Sequence, residues 1–211
     1  MDLHVADTIP YPWPYDGADG LVPARLALVI AGAQQHWAGA AVTGVLDRIE
    51  SLASALRERG VLVVFVRHAR PARPRRARGD LPALTDRGWD LALTPRDEDL
   101  VVDVFACDGF CSDALDLALR SHGRDHLLFA GLASEVLVDS TQRSANDRGY
   151  ECLTLRDAVG PLQPDTGERV LASVTMSGGI FGAVGSSDAV LAALTCPSGG
   201  EQGATAEEAL T

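Results

Sequence analysis

In the stretch "GLASEVLVDST", residues 131–141, a strand-like run, "HLLFAGL", gives way to a helix-like run, "EVLVDSTQRSANDRGY". A turn from a strand's carboxyl end into a helix gathers free amides and the positive end of the helix dipole. Both stabilise a thiolate or an oxyanion, so nucleophiles are commonly placed there. Ser134 stands where an N-cap is expected. The first turn then supplies Glu135, Val136, Leu137 and Val138, and Leu137 can neither form nor break a bond. Elsewhere, His36 and His68 carry imidazoles that exchange protons near neutrality, and Asp103 and Glu135 carry carboxylates. Cys107 and Cys111 have the spacing of a relocated nucleophile or a C-x3-C metal pair, although small buried cysteines in a packed turn are the simpler reading. A metal site needs three or four ligands. No such set is evident, so no metal and no cofactor are expected.

The elements that must position these groups follow from apolar periodicity. "LALVIA" (26–31), "VLVVFV" (61–66), "DLVVDV" (99–104), "HLLFAGL" (126–132), "YECLTL" (150–155) and "GIFGAV" (179–184) are nearly continuous apolar runs, as buried parallel strands require. Between them lie helical patterns at 40–60, 113–121, 135–148, about 165–176 and about 187–194. The fold class expected is α/β: a three-layer α/β/α domain over 25–195 around a six-stranded, mostly parallel sheet. An N-terminal arm, 1–24, precedes it, and the tail 196–211 has too little to bury and is expected to be disordered. Ligands in such folds bind beyond the carboxyl ends of the strands. That rule singles out residues 31–37, 67–70, 104–111, 132–137 and 156–160.

Composition narrows the partners. A formal charge of −11 disfavours nucleic acid, and no apolar run is long enough to span a membrane. The N-terminal residues carry no signal-peptide pattern, and four cysteines scattered over 211 residues suit a reduced, cytoplasmic protein. All eighteen basic residues are arginine, with no lysine at all. Six of them fall in "RHARPARPRRARGD", 67–80, which reads as a solvated loop or, alternatively, as a rim that attracts an anionic ligand.

At the strand ends the sequence resembles the isochorismatase-like cysteine hydrolases, especially the branch acting on ureido and biuret-like compounds. The resemblance rests on "YPWPYDG" with "PARLALVIAGAQQHW", on the run from "DLVVDVFACDGF" through "LLFAGLASEVLVDSTQRSANDRGYECLTLRDAV", and on "SGGIFGAVGSSDAVLAAL". The family's chemistry uses an aspartate base ending the first strand, a lysine ending the third and a cysteine nucleophile in the turn after the fourth. The resemblance puts these on Gly32, Val104 and Leu137, while Gln34 matches the family's glutamine. It therefore implies the inherited fold without cysteine-dependent amide hydrolysis. Losing Asp and Lys together leaves no stranded charge.

The expectation is a pocket lined by Gly32, Gln34, Trp37, Arg67, Val104, Phe105, Cys107, Phe110, Ala133, Ser134 and Leu137, with His36, His68, Asp103 and Glu135 as the acid/base candidates. The expected partner is a small metabolite, apolar or aromatic in character, converted without a covalent nucleophile. Alternatives are a non-catalytic ligand-binding or partner subunit, and a hydrolase with a relocated cysteine. Family practice makes a homo-oligomer, dimer or tetramer, the expected assembly.

Overall fold

The continuous apolar runs form the centre of a single sheet. In the computed structural model, which describes residues 4–16, 20–69 and 87–195, the strands are β1 Leu26–Ala31, β2 Leu62–His68, β3 Leu100–Val104, β4 His126–Leu132, β5 Glu151–Gly160 and β6 Ala183–Gly185. Their order is β3-β2-β1-β4-β5-β6 and every neighbouring pair is parallel, so the expectation of a mostly parallel sheet is met in full. Every residue of β1 and β4 is buried, which is why neither strand alternates polar with apolar.

Helices close both faces: α1 Thr43–Arg57, α2 Ala114–Ser121, α3 Asp139–Asp147, α4 Gly167–Gly179 and α5 Ser187–Thr195. Ile49, Leu52 and Leu56 of α1, with Val190 of α5, pack with Leu28, Ile30 and Phe65 on one face. Leu115 and Leu119 of α2, with Ala145 of α3, pack with Val29, Val64 and Phe129 on the other. Each of these leucines, isoleucines, valines and phenylalanines contributes roughly 1.5–3 kcal/mol by leaving water. Among the described residues, no helix is long and apolar enough to cross a membrane.

Two expected boundaries move. The strand expected at 179–184 begins only at Ala183: the helical geometry of α4 breaks at Met176, where ψ is 155°, and Ser177 and Gly178 take left-handed conformations. The chain then turns through glycines, with Gly178, Gly179 and Gly182 all at positive φ. β5 continues past Leu155 to Gly160, with its register against β4 shifting between Phe129 and Gly131. At Gly131, φ is 137° and a Cβ would stand 1.9 Å from the Ala31 carbonyl oxygen, so β1 and β4 approach more closely than a side chain permits.

Part of the N-terminal arm is pinned to the body. Ile9 pairs with Val184, and Arg25 bonds both Asp16 at 3.0 Å and Asp125 at 2.8 Å. The tail and residues 70–80 of the arginine-rich stretch lie outside the described residues. β1 has β2 on one side and β4 on the other, so the chain's winding reverses there and leaves a crevice at the carboxyl ends of these strands.

Candidate active site

Gly32, Val104 and Leu137 all lie at the strand ends that open on this crevice. Gly32 follows β1 with φ at +65°, and its amide donates to the Val66 carbonyl at 3.0 Å. A Cβ on Gly32 would stand 2.3 Å from Leu137 Cδ1 and 3.2 Å from the Leu132 carbonyl oxygen. The left-handed backbone conformation favours glycine at this position, and a side chain there would have to displace the Leu137 methyl. Leu137 is fully buried, and Val104, the register partner of His68, is nearly so. With Ala31, Val66, Phe110 and Ala133 they belong to one apolar cluster. The centre of the site is packed hydrocarbon.

The turn that carries Leu137 differs locally from expectation. Ala133, not Ser134, is the residue ahead of the helix, and it adopts a left-handed conformation with φ 54° and ψ 51°. Such a conformation costs a non-glycine residue roughly 1–2 kcal/mol. The chain then winds one wide turn, Ser134–Val138, with five-residue hydrogen-bond spacing before α3 begins. The Val136 and Leu137 amides both turn back on the Ala133 carbonyl, at 2.9 and 2.8 Å. Ser134 is buried and directs its hydroxyl to Glu135 at 3.4 Å instead of capping the helix.

Glu135 reaches away from the centre. Its carboxylate accepts from the Leu162 amide at 2.9 Å, the Gln163 amide at 3.1 Å and the Thr166 hydroxyl at 2.5 Å. Burial alone would raise this carboxyl, but the bonds from Thr166, its own amide, Leu162 and Gln163 outweigh it and hold the pKa below the usual range. Glu135 therefore stays ionised and anchors the entrance to α4. Asp103 is exposed and receives a two-pronged Arg67 guanidinium at 2.7 and 2.9 Å, with that guanidinium stacked 4.7 Å over Trp89. His36 is exposed and stands edge-on to Trp37, with ring centres 4.9 Å apart.

His68 and Gln34 occupy the interior. Gln34 is fully buried: its Oε1 accepts from the His68 amide at 2.7 Å, and its Nε2 donates to the His68 and Trp89 carbonyls at 3.3 and 3.1 Å. This side chain fixes the end of β2 against the segment after β1. The His68 ring is likewise fully buried, with Nδ1 2.9 Å from the Ala106 carbonyl. A carbonyl can only accept, so Nδ1 carries the proton and Nε2 the lone pair. Burial pushes the His68 imidazole down to about 4, against the opposing pull of the Ala106 carbonyl and Asp108. Nε2 is buried and has no hydrogen-bond partner.

The remaining expected residues divide between core and surface. Phe110 is buried against Tyr150 at 5.7 Å, whereas Phe105 is 47% exposed. Cys107 is half-buried and Cys111 exposed, and desolvation within its loop pushes the Cys111 thiol up, away from the thiolate. Among the described residues, no three of His, Cys, Asp and Glu gather as metal ligands would.

Beside the packed centre a cavity of about 190 Å³ opens at the ends of β4 and β5, lined by Trp37, Val42, Leu132, Ala133, Gly160 and Pro161 among others. Trp37 and Ala133 were identifiable from sequence. Leu132 and Gly160 also fall within the ranges that the strand-end rule singled out, whereas Val42 and Pro161 do not. A larger groove of about 460 Å³ runs along α1, floored by Phe65 and bordered by Arg57 and Arg96. None of the expected site residues lines it.

Comparison with known proteins agrees with this geometry. Residues 26–188 match the isochorismatase domain. The ureidoacrylate amidohydrolase RutB of Variovorax paradoxus is 31% identical over 175 residues, which cover 70% of this chain and 69% of that protein. Its counterpart in Klebsiella pneumoniae subsp. pneumoniae is 28% identical over 179 residues, covering 67% and 76%. A cysteine hydrolase from Pseudomonas syringae pv. phaseolicola superposes with a TM-score of 0.73 at 23% identity, over 82% of this chain and 94% of that one. An isochorismatase family protein from Burkholderia thailandensis superposes at 0.66 with 26% identity, over 82% and 97%. With the domain matched across β1 to the start of α5 and the same parallel sheet beneath it, the chain belongs to the isochorismatase domain family.

Proposed function

We propose that this chain does not perform cysteine-dependent amide hydrolysis, and that it instead binds a small, largely apolar metabolite at the inherited strand-end site. It promotes a reaction there that needs no covalent nucleophile, such as a cyclisation, isomerisation or elimination. The observation that carries this reading is the contact between positions 32 and 137. A leucine methyl occupies the volume that any side chain at position 32 would require. An aspartate there would have to displace the Leu137 methyl and take the left-handed backbone conformation, and Leu137 offers no thiol. The chain has no lysine to complete such a set. What remains is an apolar surface, and such a surface accelerates a unimolecular reaction by holding the ligand in a reactive conformer and excluding water.

A second reading, a ligand-binding subunit without turnover, is favoured by one observation: the carboxylates of Glu135 and Asp103 are both engaged by protein partners. The two readings separate in a single experiment. The purified protein is examined by native mass spectrometry, its bound small molecules are released and identified, and each is returned to the protein to follow conversion. Conversion unaffected by iodoacetamide supports the first reading, and retention without conversion supports the second. Ammonia release from ureidoacrylate that iodoacetamide abolishes would refute both.

A further inference from the structure

We propose that the cavity at the ends of β4 and β5 takes an uncharged group about the size of one six-membered ring, and that it selects against anions and cations alike. This rests on the site reading given above and names the ligand class of that site. Among the described residues, Trp37, Val42, Leu132, Ala133, Pro161 and Leu162 form the walls, glycine and alanine complete them, and no side chain of the lining carries a charge. The neighbouring carboxylate, Glu135, is held toward the α4 entrance, where it accepts from the Leu162 and Gln163 amides and the Thr166 hydroxyl. It leaves a cation without a free partner, and its own charge works against an anion. Size follows from volume. An apolar cavity of about 150 Å³ admits benzene. This one measures about 190 Å³, enough for one ring with a short substituent. Gly39 and Ala41 are exposed at the rim, so a longer chain can project there.

The walls are tied to one another before any ligand arrives. Glu135 leaves the turn just after Ala133 on one wall and holds the amide of Leu162 on the other at 2.9 Å. Trp37 follows Gln34, whose fully buried side chain makes three hydrogen bonds, and the Trp37 amide donates to the Gln34 carbonyl at 3.1 Å. The Val42 amide donates to the Gly39 carbonyl at 3.1 Å and closes the same loop. A space fixed in this way binds an apolar group that fits it with little cost of ordering. A charged group of the same shape must shed water and finds no partner in return. The selection is therefore by desolvation, with the charge of the ligand as its deciding property.

Toluene, benzoate and benzylammonium share one ring and differ in charge, and 1-adamantanol is uncharged but bulkier. Each is titrated into the full-length 15N-labelled protein, and Kd is read from the Trp37 indole and Ala133 amide resonances. The expected result is that toluene moves both resonances and binds at least about tenfold more tightly than either ion or 1-adamantanol. A charge placed at the exposed rim should shift the order. Ala41→Asp should strengthen benzylammonium binding about two- to fivefold, and Ala41→Arg should do the same for benzoate, the worth of a solvent-exposed ion pair. The wild-type series decides the matter if neither variant folds. An ion that binds as tightly as toluene overturns the selection for an uncharged group but leaves the cavity a binding site. Equal binding of 1-adamantanol overturns the size limit in the same way. Binding that leaves Trp37 and Ala133 unmoved, or ion affinities indifferent to both rim charges, places the ligand elsewhere and overturns the assignment to this cavity. Failure of every probe to bind overturns both this inference and the site reading beneath it.

Discussion

Adding a single methyl group at Gly32 tests whether the site's centre is packed as described. In Gly32→Ala, two costs combine. The φ of +65° charges an L-residue roughly 1–2 kcal/mol. The new Cβ meets Leu137 Cδ1 at 2.3 Å, and forcing an extra methyl into a close-packed core costs roughly 1–3 kcal/mol more. The expected loss is therefore about 2–5 kcal/mol. Leu137→Ala removes a fully buried side chain and costs about 2–5 kcal/mol through lost transfer energy and the cavity left behind. In the double variant the clash has no partner and the new methyl partly fills the vacated space, so the two losses do not add. The double variant should retain roughly 1–3 kcal/mol more stability than the sum of the single losses predicts. Urea unfolding at pH 7 measures all four proteins, with equal m-values as the condition for comparing them. If the losses add to within about 0.5 kcal/mol, Leu137 does not fill the space beside Gly32 and the account of the centre is wrong.

Two further perturbations read other parts of the site. Because burial lowers the folded-state pKa of His68 to about 4, the unfolded chain takes up this proton near pH 6.5 and the folded chain only far below it. The contribution is complete above pH 6.5 and is lost as pH falls toward 4, by about 3 kcal/mol at the lower end. Urea midpoints across that range should show the slope in wild type and a reduced slope in His68→Phe, and equal slopes would contradict the buried neutral imidazole. Glu135→Ala should cost roughly 1–3 kcal/mol by removing the charge-assisted bonds from the Leu162 and Gln163 amides and the Thr166 hydroxyl, and hydrogen exchange should accelerate at Leu162 and Gln163 first. The Glu135 pKa is depressed, so its contribution is present above the usual carboxylate range and lost as pH falls through the folded value, a lower window than that of His68. Unchanged exchange at Leu162 and Gln163 in this variant would sink the anchoring role.

Much of the sheet was legible because burial leaves a direct mark on composition. β1 and β4, covered on both faces, read as unbroken apolar runs, and their ends fell where sequence put them. The sixth strand did not, because "SGGIFGAV" is equally apolar whether extended or helical, and the run of glycines at positive φ sets the boundary instead. Ser134 was misplaced for a related reason. Its type suits a cap, but Ala133 takes the left-handed conformation and the following turn is wide, and neither feature has a compositional signal. The cavity wall was half-legible: strand-end reasoning reached Trp37 and Ala133, while Val42 and Pro161 arrive from separate segments that only the extended β5 brings together.

The deepest gap lies at the centre, and it bears on how such a site could be altered. Sequence gives Gly32, Val104 and Leu137 as three separate residues, and only the fold shows the first and last to be one packing unit. A consequence follows for single substitutions. Gly32→Asp alone would press a carboxylate against a buried leucine, with the left-handed backbone penalty added and no cation beside it. Val104→Lys alone would bury an ammonium among valines and Ala31. An unpaired charge at either position costs several kcal/mol, whereas the present hydrocarbon set has no polar group to satisfy. The centre is therefore held in place by its own neighbours. Exchange of one of these residues at a time gives a fold less stable than the present one.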